Sequence, residues 1–204
     1  MRRMHRSGND LLFFGVSVFQ RAQKQETTAR TLLERIGDDA ILDRNPEELA
    51  EEIYGKVAVS VPTLRDGPDD IETKSGEVKH HREDYGRPYV AVESFIEVFV
   101  PFDGDGTAFL IQPSSYTLGG LRGHVDQHEL CFKISLTTTA ADQVKGAIRA
   151  FLDETKKHLE TLRADFAGGK ARLIGIIRQL IEARRSRLLE RDQLTSGLGY
   201  KVRL

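Results

Sequence analysis

From Tyr89 to Val100 every second residue is aliphatic, with Ser94 the one exception: Val90, Val92, Ile96, Val98 and Val100. The residues between them, Tyr89, Ala91, Glu93, Phe95, Glu97 and Phe99, mix aromatic and charged groups. A period of two puts alternate side chains on opposite faces of an extended backbone, so this stretch reads as a strand with one dry face and one mixed face. A dry face needs a cover, and the rest of the chain offers that cover as helix.

Asp103-Gly104-Asp105-Gly106 has turn chemistry and leads into Thr107–Gln112, which reads as the return strand of a hairpin. Leu130, Phe132, Ile134 and Leu136 supply a third amphipathic strand. The expected sheet is therefore a small antiparallel meander over residues 88–138. By contrast, residues 65–87 are polar and rich in Gly, Asp, Glu and His. They read as a long mobile loop with room for a short exposed hairpin.

The helical cover is strongest near the C-terminus. Thr139-Ala140-Ala141-Asp142 has the form of a capping box, with Asp in place of Glu. Val144, Ile148, Phe151, Leu159, Leu162 and Phe166 follow as a stripe, with Thr155 in its one gap, at a mean spacing of about 3.7 residues that suits a straight helix. Gly168-Gly169 interrupts, and Leu173, Ile177, Leu180 and Leu188 begin a second stripe, widened by Ile174, Ile176 and Ile181. Two glycines cost about 1 kcal/mol each inside a helix relative to alanine, so a coiled-coil-like helical hairpin over 139–194 is favoured, with one continuous helix as the alternative.

Before the sheet, Asn9 or Asp10 can cap a helix starting at Leu11, although Gly15, Val16 and Val18 leave a short strand at 11–19 open. Leu32, Leu33 and Ile36 continue its apolar stripe, and Gly37-Asp38-Asp39 stops it. Asn45-Pro46-Glu47-Glu48 starts a helix that buries Leu49, Ile53 and Tyr54 and ends at Gly55. Lys56–Val61 then alternates as a strand. The whole is an α+β chain: N-terminal helices and one strand over 1–64, the loop at 65–87, the sheet at 88–138, the hairpin at 139–194 and a tail at 195–204.

Composition narrows the class. Apolar residues are 39% and charged residues 30% of the 204, which is globular rather than disordered. A single cysteine, Cys131, has no internal disulfide partner, which fits a reducing, cytoplasmic setting. Arg2, Arg3 and Arg6 ahead of Leu11–Phe19 imitate a secretion leader, but no small-residue cleavage site follows. That apolar run is too short to span a bilayer, so no membrane partner is expected. The net charge of −1 conceals a front of −7 over residues 1–139 and a tail of +6 over 140–204. Such a split implies electrostatic complementarity within the chain or toward a partner.

Three clusters of residues carry candidate functions. His124, Asp126 and His128 fall on one face if the third strand starts early, where imidazoles and a carboxylate suit zinc or iron. Lys170, Arg172, Arg178, Arg184, Arg185, Arg187 and Arg191 form a basic stretch that can face nucleic-acid phosphates, though no aromatic stands among them to stack bases. Leu173, Ile176, Ile177, Leu180, Ile181 and Leu188 exceed one narrow seam, and the surplus points to an interface with another copy or a partner protein. No phosphate loop, dinucleotide fingerprint or nucleophile elbow is present, so no catalytic residue is assigned and no cofactor is expected.

Ile181–Asp192, followed by Leu198-Gly199, together with the passage Val98–Ser115 containing Pro101-Phe102-Asp103-Gly104-Asp105 and Pro113-Ser114-Ser115, resembles the accessory regions that precede TIR-like or restriction-nuclease-like effector domains in bacterial proteins. The resemblance covers the second half of the chain. It implies a sensing or assembly module of a stress or defence system rather than the enzyme. With Leu204 as the last residue, it implies a stand-alone subunit or a truncated one. The expected function is thus a non-enzymatic interaction module, with nucleic-acid binding and a metal-dependent enzyme as the alternatives.

Overall fold

The computed structural model describes residues 11–84, 87–116, 120–136 and 140–198. The expected caps at Asn9 or Asp10 and at Thr139, and the tail beyond residue 198, lie outside the described residues. In chain order the elements are β1 (Val16–Ser17), α1 (Val18–Glu34), α2 (Asp38–Asp43), α3 (Pro46–Val57), β2 (Thr63–Leu64), β3 (Glu72–Asp84), β4 (Arg87–Asp103), a 3-10 helix (Gly106–Leu110), β5 (Ile111–Gln112), β6 (His124–Asp126), β7 (Glu129–Ser135) and α4 (Ala141–Gly197). The chain is α+β. Two compact units are present, one drawn from residues up to Val18 and from Ser60–Ala164, the other from Phe19–Val59 and from Asp165 onward. Among the described residues no helix is long and apolar enough to cross a membrane.

The first unit is organised by β4. On one side it pairs with β2 and β3, on the other with β7, which in turn pairs with β6, all antiparallel. The predicted alternation holds where the strand is covered. Val98, Val100 and Phe102 are buried together with Leu130 and Phe132 of β7. Phe132 stacks on Phe151 of α4 with ring centroids 3.8 Å apart, so the helix does cover the dry face. Thr155, which interrupts the stripe, is fully buried and donates its hydroxyl to the Phe151 carbonyl at 2.8 Å, so it brings no unpaired polar group into the core.

Several expectations are corrected. Residues 65–87 are not chiefly loop, because β3 occupies Glu72–Asp84 and pairs with β4 along its whole length. Thr107–Gln112 is not the return strand of a hairpin. Asp105 accepts a bond from the Thr107 amide at 2.9 Å and starts the 3-10 helix, which buries Ala108 and Phe109, and the short β5 pairs in parallel with β1 instead. The hairpin on β4 is therefore β3–β4, and the sheet is not a simple meander. Helix α1 starts only at Val18, since Val16 and Ser17 are used for β1.

In the second unit the cap at Asn45 forms as read, its side chain accepting from the Glu47 amide at 2.8 Å with Pro46 next. Helix α3 does not stop at Gly55. It continues to Val57, because Leu49, Ile53 and Val57 keep the four-residue spacing of one buried face, and this removes the expected strand at 56–61. The largest correction is α4. It is one continuous helix through Gly168-Gly169, not a helical hairpin. The buried Leu159 and Leu162 before the glycines and Leu173, Ile177 and Ile181 after them outweigh the roughly 2 kcal/mol that two glycines cost.

A Cβ added at Gly168 or Gly169 would meet nothing within 4 Å. Both Gly168→Ala and Gly169→Ala are therefore expected to stabilise the protein by about 1 kcal/mol each in urea unfolding. A glycine turn between two helices would give the opposite sign, since alanine is disfavoured at positive φ.

Candidate functional site

The outer part of the β3–β4 hairpin leaves apolar side chains exposed. Strand β7 accompanies β4 only from Phe95 to Pro101, and the Leu136 amide donates to the Ser94 carbonyl at 2.8 Å. In an antiparallel ladder this directs the backbone groups of even-numbered β4 residues toward the β7 side. Val92 and Val90 continue the same edge, and among the described residues no strand pairs with them there. Their side chains continue the dry face, yet Val90 is 49% and Val92 53% exposed, against 0% for Val98 and Val100. The alternation legible in the sequence thus runs past the end of its cover.

The opposite face of this arm is tied down. Phe95 crosses to Gly76 on β3, and a Cβ at Gly76 would sit 2.5 Å from its ring, so only glycine admits this contact. Lys133 of β7 lies over the Phe95 ring at 4.5 Å and reaches Glu97 at 3.6 Å. Glu93 accepts from the Ser135 hydroxyl at 2.5 Å and contacts His80 Nε2 at 3.1 Å. These contacts hold one register, with one face polar and locked and the other aliphatic and open. Sequence reasoning missed the β3 half because Glu72–Asp84 has no apolar alternation. Its partner strand, not its own pattern, makes it extended.

The structure does not bring His124, Asp126 and His128 onto one strand face. Strand β6 ends at Asp126, and Gln127, with φ of 52°, turns the chain so that Asp126 pairs with Glu129. His128 therefore leaves the alternation. Its carbonyl accepts from the Phe102 amide at 2.9 Å and its ring lies edge-on to Phe102. Among the described residues no group of three His, Cys, Asp or Glu side chains is placed to hold a metal ion. Cys131, opposite His124, is buried, and burial with the Glu129 charge pushes its thiol up to about 12, far from a nucleophile.

Most cations of the basic stretch serve their own unit. Arg184 donates to the Leu33 carbonyl at 2.6 Å, the Ile36 carbonyl at 2.8 Å and Asp38 at 2.7 Å, which satisfies the C-terminal end of α1. Arg185 donates to the Leu42 carbonyl, Arg178 reaches Glu47, Arg191 reaches Asp38, and Lys170 lies near Glu51 and over the Tyr54 ring. Of the seven, Arg172 and the terminal nitrogens of Arg187 have no such partner among the described residues. Most of the expected interface residues pack within this unit. Leu173, Ile177, Ile181 and Leu188 are buried in a core with Ala29, Leu33, Ile41, Leu49, Ala50, Ile53 and Val57, and Leu180 packs against it. Ile176 is only partly exposed. The apolar surplus packs against α1, α2 and α3.

Arg184 is the central cation of this unit. Arg184→Ala should destabilise by about 1.5–3 kcal/mol in urea titration, and Arg184→Lys should recover little, because an ammonium cannot serve three acceptors spread over the fork of a guanidinium. The bonds from Arg184 and Arg191 hold the Asp38 carboxyl below its ordinary 3.8. A lowered carboxyl stabilises the fold above that ordinary value, and the contribution is lost as pH falls through the lower folded-state value. The stability gap between wild type and Asp38→Asn should therefore be full at neutral pH and close below pH 3.8.

Comparison with family models, with curated proteins and with solved structures returns no match.

Proposed function

We propose that the protein is a non-enzymatic assembly module that associates with a second copy of itself along the open edge of the β3–β4 arm. The observation that carries this reading is the continuation of the aliphatic face onto an unpaired edge, at Val90 and Val92. An open edge offers backbone donors and acceptors to an added strand, and alternate apolar side chains give that addition a preferred face. Two copies meeting edge to edge across a two-fold axis set their valine rows side by side, burying what each chain alone leaves half exposed. With half of each valine already covered, the gain is about 1 kcal/mol per side chain, added to the new ladder bonds.

Charge on the arm supports a second copy over a strongly charged partner. Between Glu77 and Glu93 the chain carries Lys79, Arg82 and Arg87 against Glu77, Glu83, Asp84 and Glu93, a near balance that sets up no like-charge barrier between identical arms. Assembly is also what the resemblance to bacterial accessory regions implies. Nucleic-acid binding draws less support, since five of the seven cations expected to meet phosphate are engaged within the chain.

Sedimentation equilibrium on wild type and on a Val90→Lys/Val92→Lys variant tests this. Wild type should show a concentration-dependent monomer–dimer equilibrium, and the variant should stay monomeric with an unchanged melting temperature, because both positions are outside the core. A wild type that remains monomeric throughout, or a variant that dimerises as well as wild type, refutes it.

A further inference from the structure

The second unit contains a hollow of about 610 Å³ between α1 and α4, which is the size of a small-molecule site. Leu180, Arg184, Arg187, Leu188 and Arg191 line it from α4 at spacings of one helical face, and Arg30, Leu33 and Glu34 line it from α1. Leu33 and Leu188 are buried and Leu180 is partly buried, so the floor is apolar. Four arginines and two carboxylates, Glu34 and Asp38, line the hollow, and Glu26 and Asp192 pair with Arg30 and Arg191 from beside it.

The arginines differ in what they have left to give. Arg184 is spent on the Leu33 and Ile36 carbonyls and on Asp38. Asp38 in turn fixes one terminal nitrogen of Arg191 at 3.2 Å, leaving the other without a partner among the described residues. Arg30 gives one terminal nitrogen to Glu26 at 2.8 Å. Arg187 uses only its Nε, on the Ala183 carbonyl of its own helix, so both of its terminal nitrogens are without a partner among the described residues. Three guanidinium groups with unused donors therefore ring a leucine floor. Two of them, Arg30 and Arg191, are already held in place by ion pairs, which reduces the ordering cost of binding.

We infer that this hollow binds an organic phosphate, a phosphomonoester whose dianionic head meets Arg30, Arg187 and Arg191 while its apolar body covers Leu33, Leu180 and Leu188. Planar guanidinium forks with unused N–H donors suit phosphate oxygens. The leucine floor discriminates against bare phosphate, which would leave that floor wet. This site is independent of the β3–β4 arm, so the failure of either proposal leaves the other standing.

Isothermal titration of the full chain with phenyl phosphate and, separately, with inorganic phosphate tests the inference. Phenyl phosphate should bind at least tenfold more tightly than inorganic phosphate, and its affinity should fall as sodium chloride is added. Arg187→Ala should weaken phenyl phosphate about tenfold without changing the melting temperature, since Arg187 pairs with no acid among the described residues. Equal affinities for the two ligands would reduce the site to a surface anion contact and overturn the assignment. So would an absence of phenyl phosphate binding, or an Arg187→Ala variant that binds as wild type does.

Discussion

Strand β4 is the element on which the first unit depends, because β2, β3 and β7 all hydrogen-bond to it and β6 reaches the sheet only through β7. One long strand can serve three neighbours only if each takes a different stretch or edge, and the registers show this division. Strand β3 takes Arg87–Phe99, β2 takes Phe102 and Asp103, and β7 takes Phe95–Pro101 on the other edge. The length of β4 thus creates both the core and its excess. Where α4 and β7 accompany it, Val98 and Val100 are dry; where they do not, Val90 and Val92 face solvent beside a backbone edge that no strand among the described residues pairs. A two-stranded hairpin is marginal in water by itself, and the Phe95–Gly76 contact and the Lys133–Glu97 and Ser135–Glu93 links brace its inner half.

The second unit is built on a different device. Its apolar cluster is closed by α4, and the cations of α4 reach back to the acidic side chains and carbonyl ends of α1, α2 and α3. The charge asymmetry visible in the sequence is therefore partly internal: Lys170, Arg178, Arg184 and Arg191 meet Glu51, Glu47 and Asp38. Exposed pairs of this type contribute little individually. The bonds of Arg184 and Arg185 to backbone carbonyls matter more, since they serve helix-end acceptors that have no partner in their own helix. Arg187 is set apart because nothing among the described residues takes up its terminal nitrogens.

Much of the architecture was legible because periodicity is written in the side chains. The alternation at 89–100, the stripes around Leu159 and Ile177 and the Asn45-Pro46 start each specified their element type, and each element formed. What failed to show was whatever depends on residues distant in the chain. Glu72–Asp84 is extended because β4 lies beside it. Thr107–Gln112 has strand-like residues, but the Asp105 cap and the buried Phe109 curl it into a 3-10 helix. The candidate site divides in the same way: Val90 and Val92 could be read from pattern, but not that their cover ends at Ser94. The basic stretch could be read from composition, but not which arginine is left over.

By itself, the sequence determined that the chain is α+β, that 89–100 is a strand with a dry face and that two apolar helical stripes lie near the C-terminus, since these follow from side-chain spacing alone. Only the tertiary structure decided that the stripes join through Gly168-Gly169 into one helix, that the surplus leucines and isoleucines are core, and that the strand outruns its cover. The physical reason is common to all three. A local pattern states which face of an element is apolar, whereas burial depends on what packs against that face, and here that partner comes from the far end of the chain.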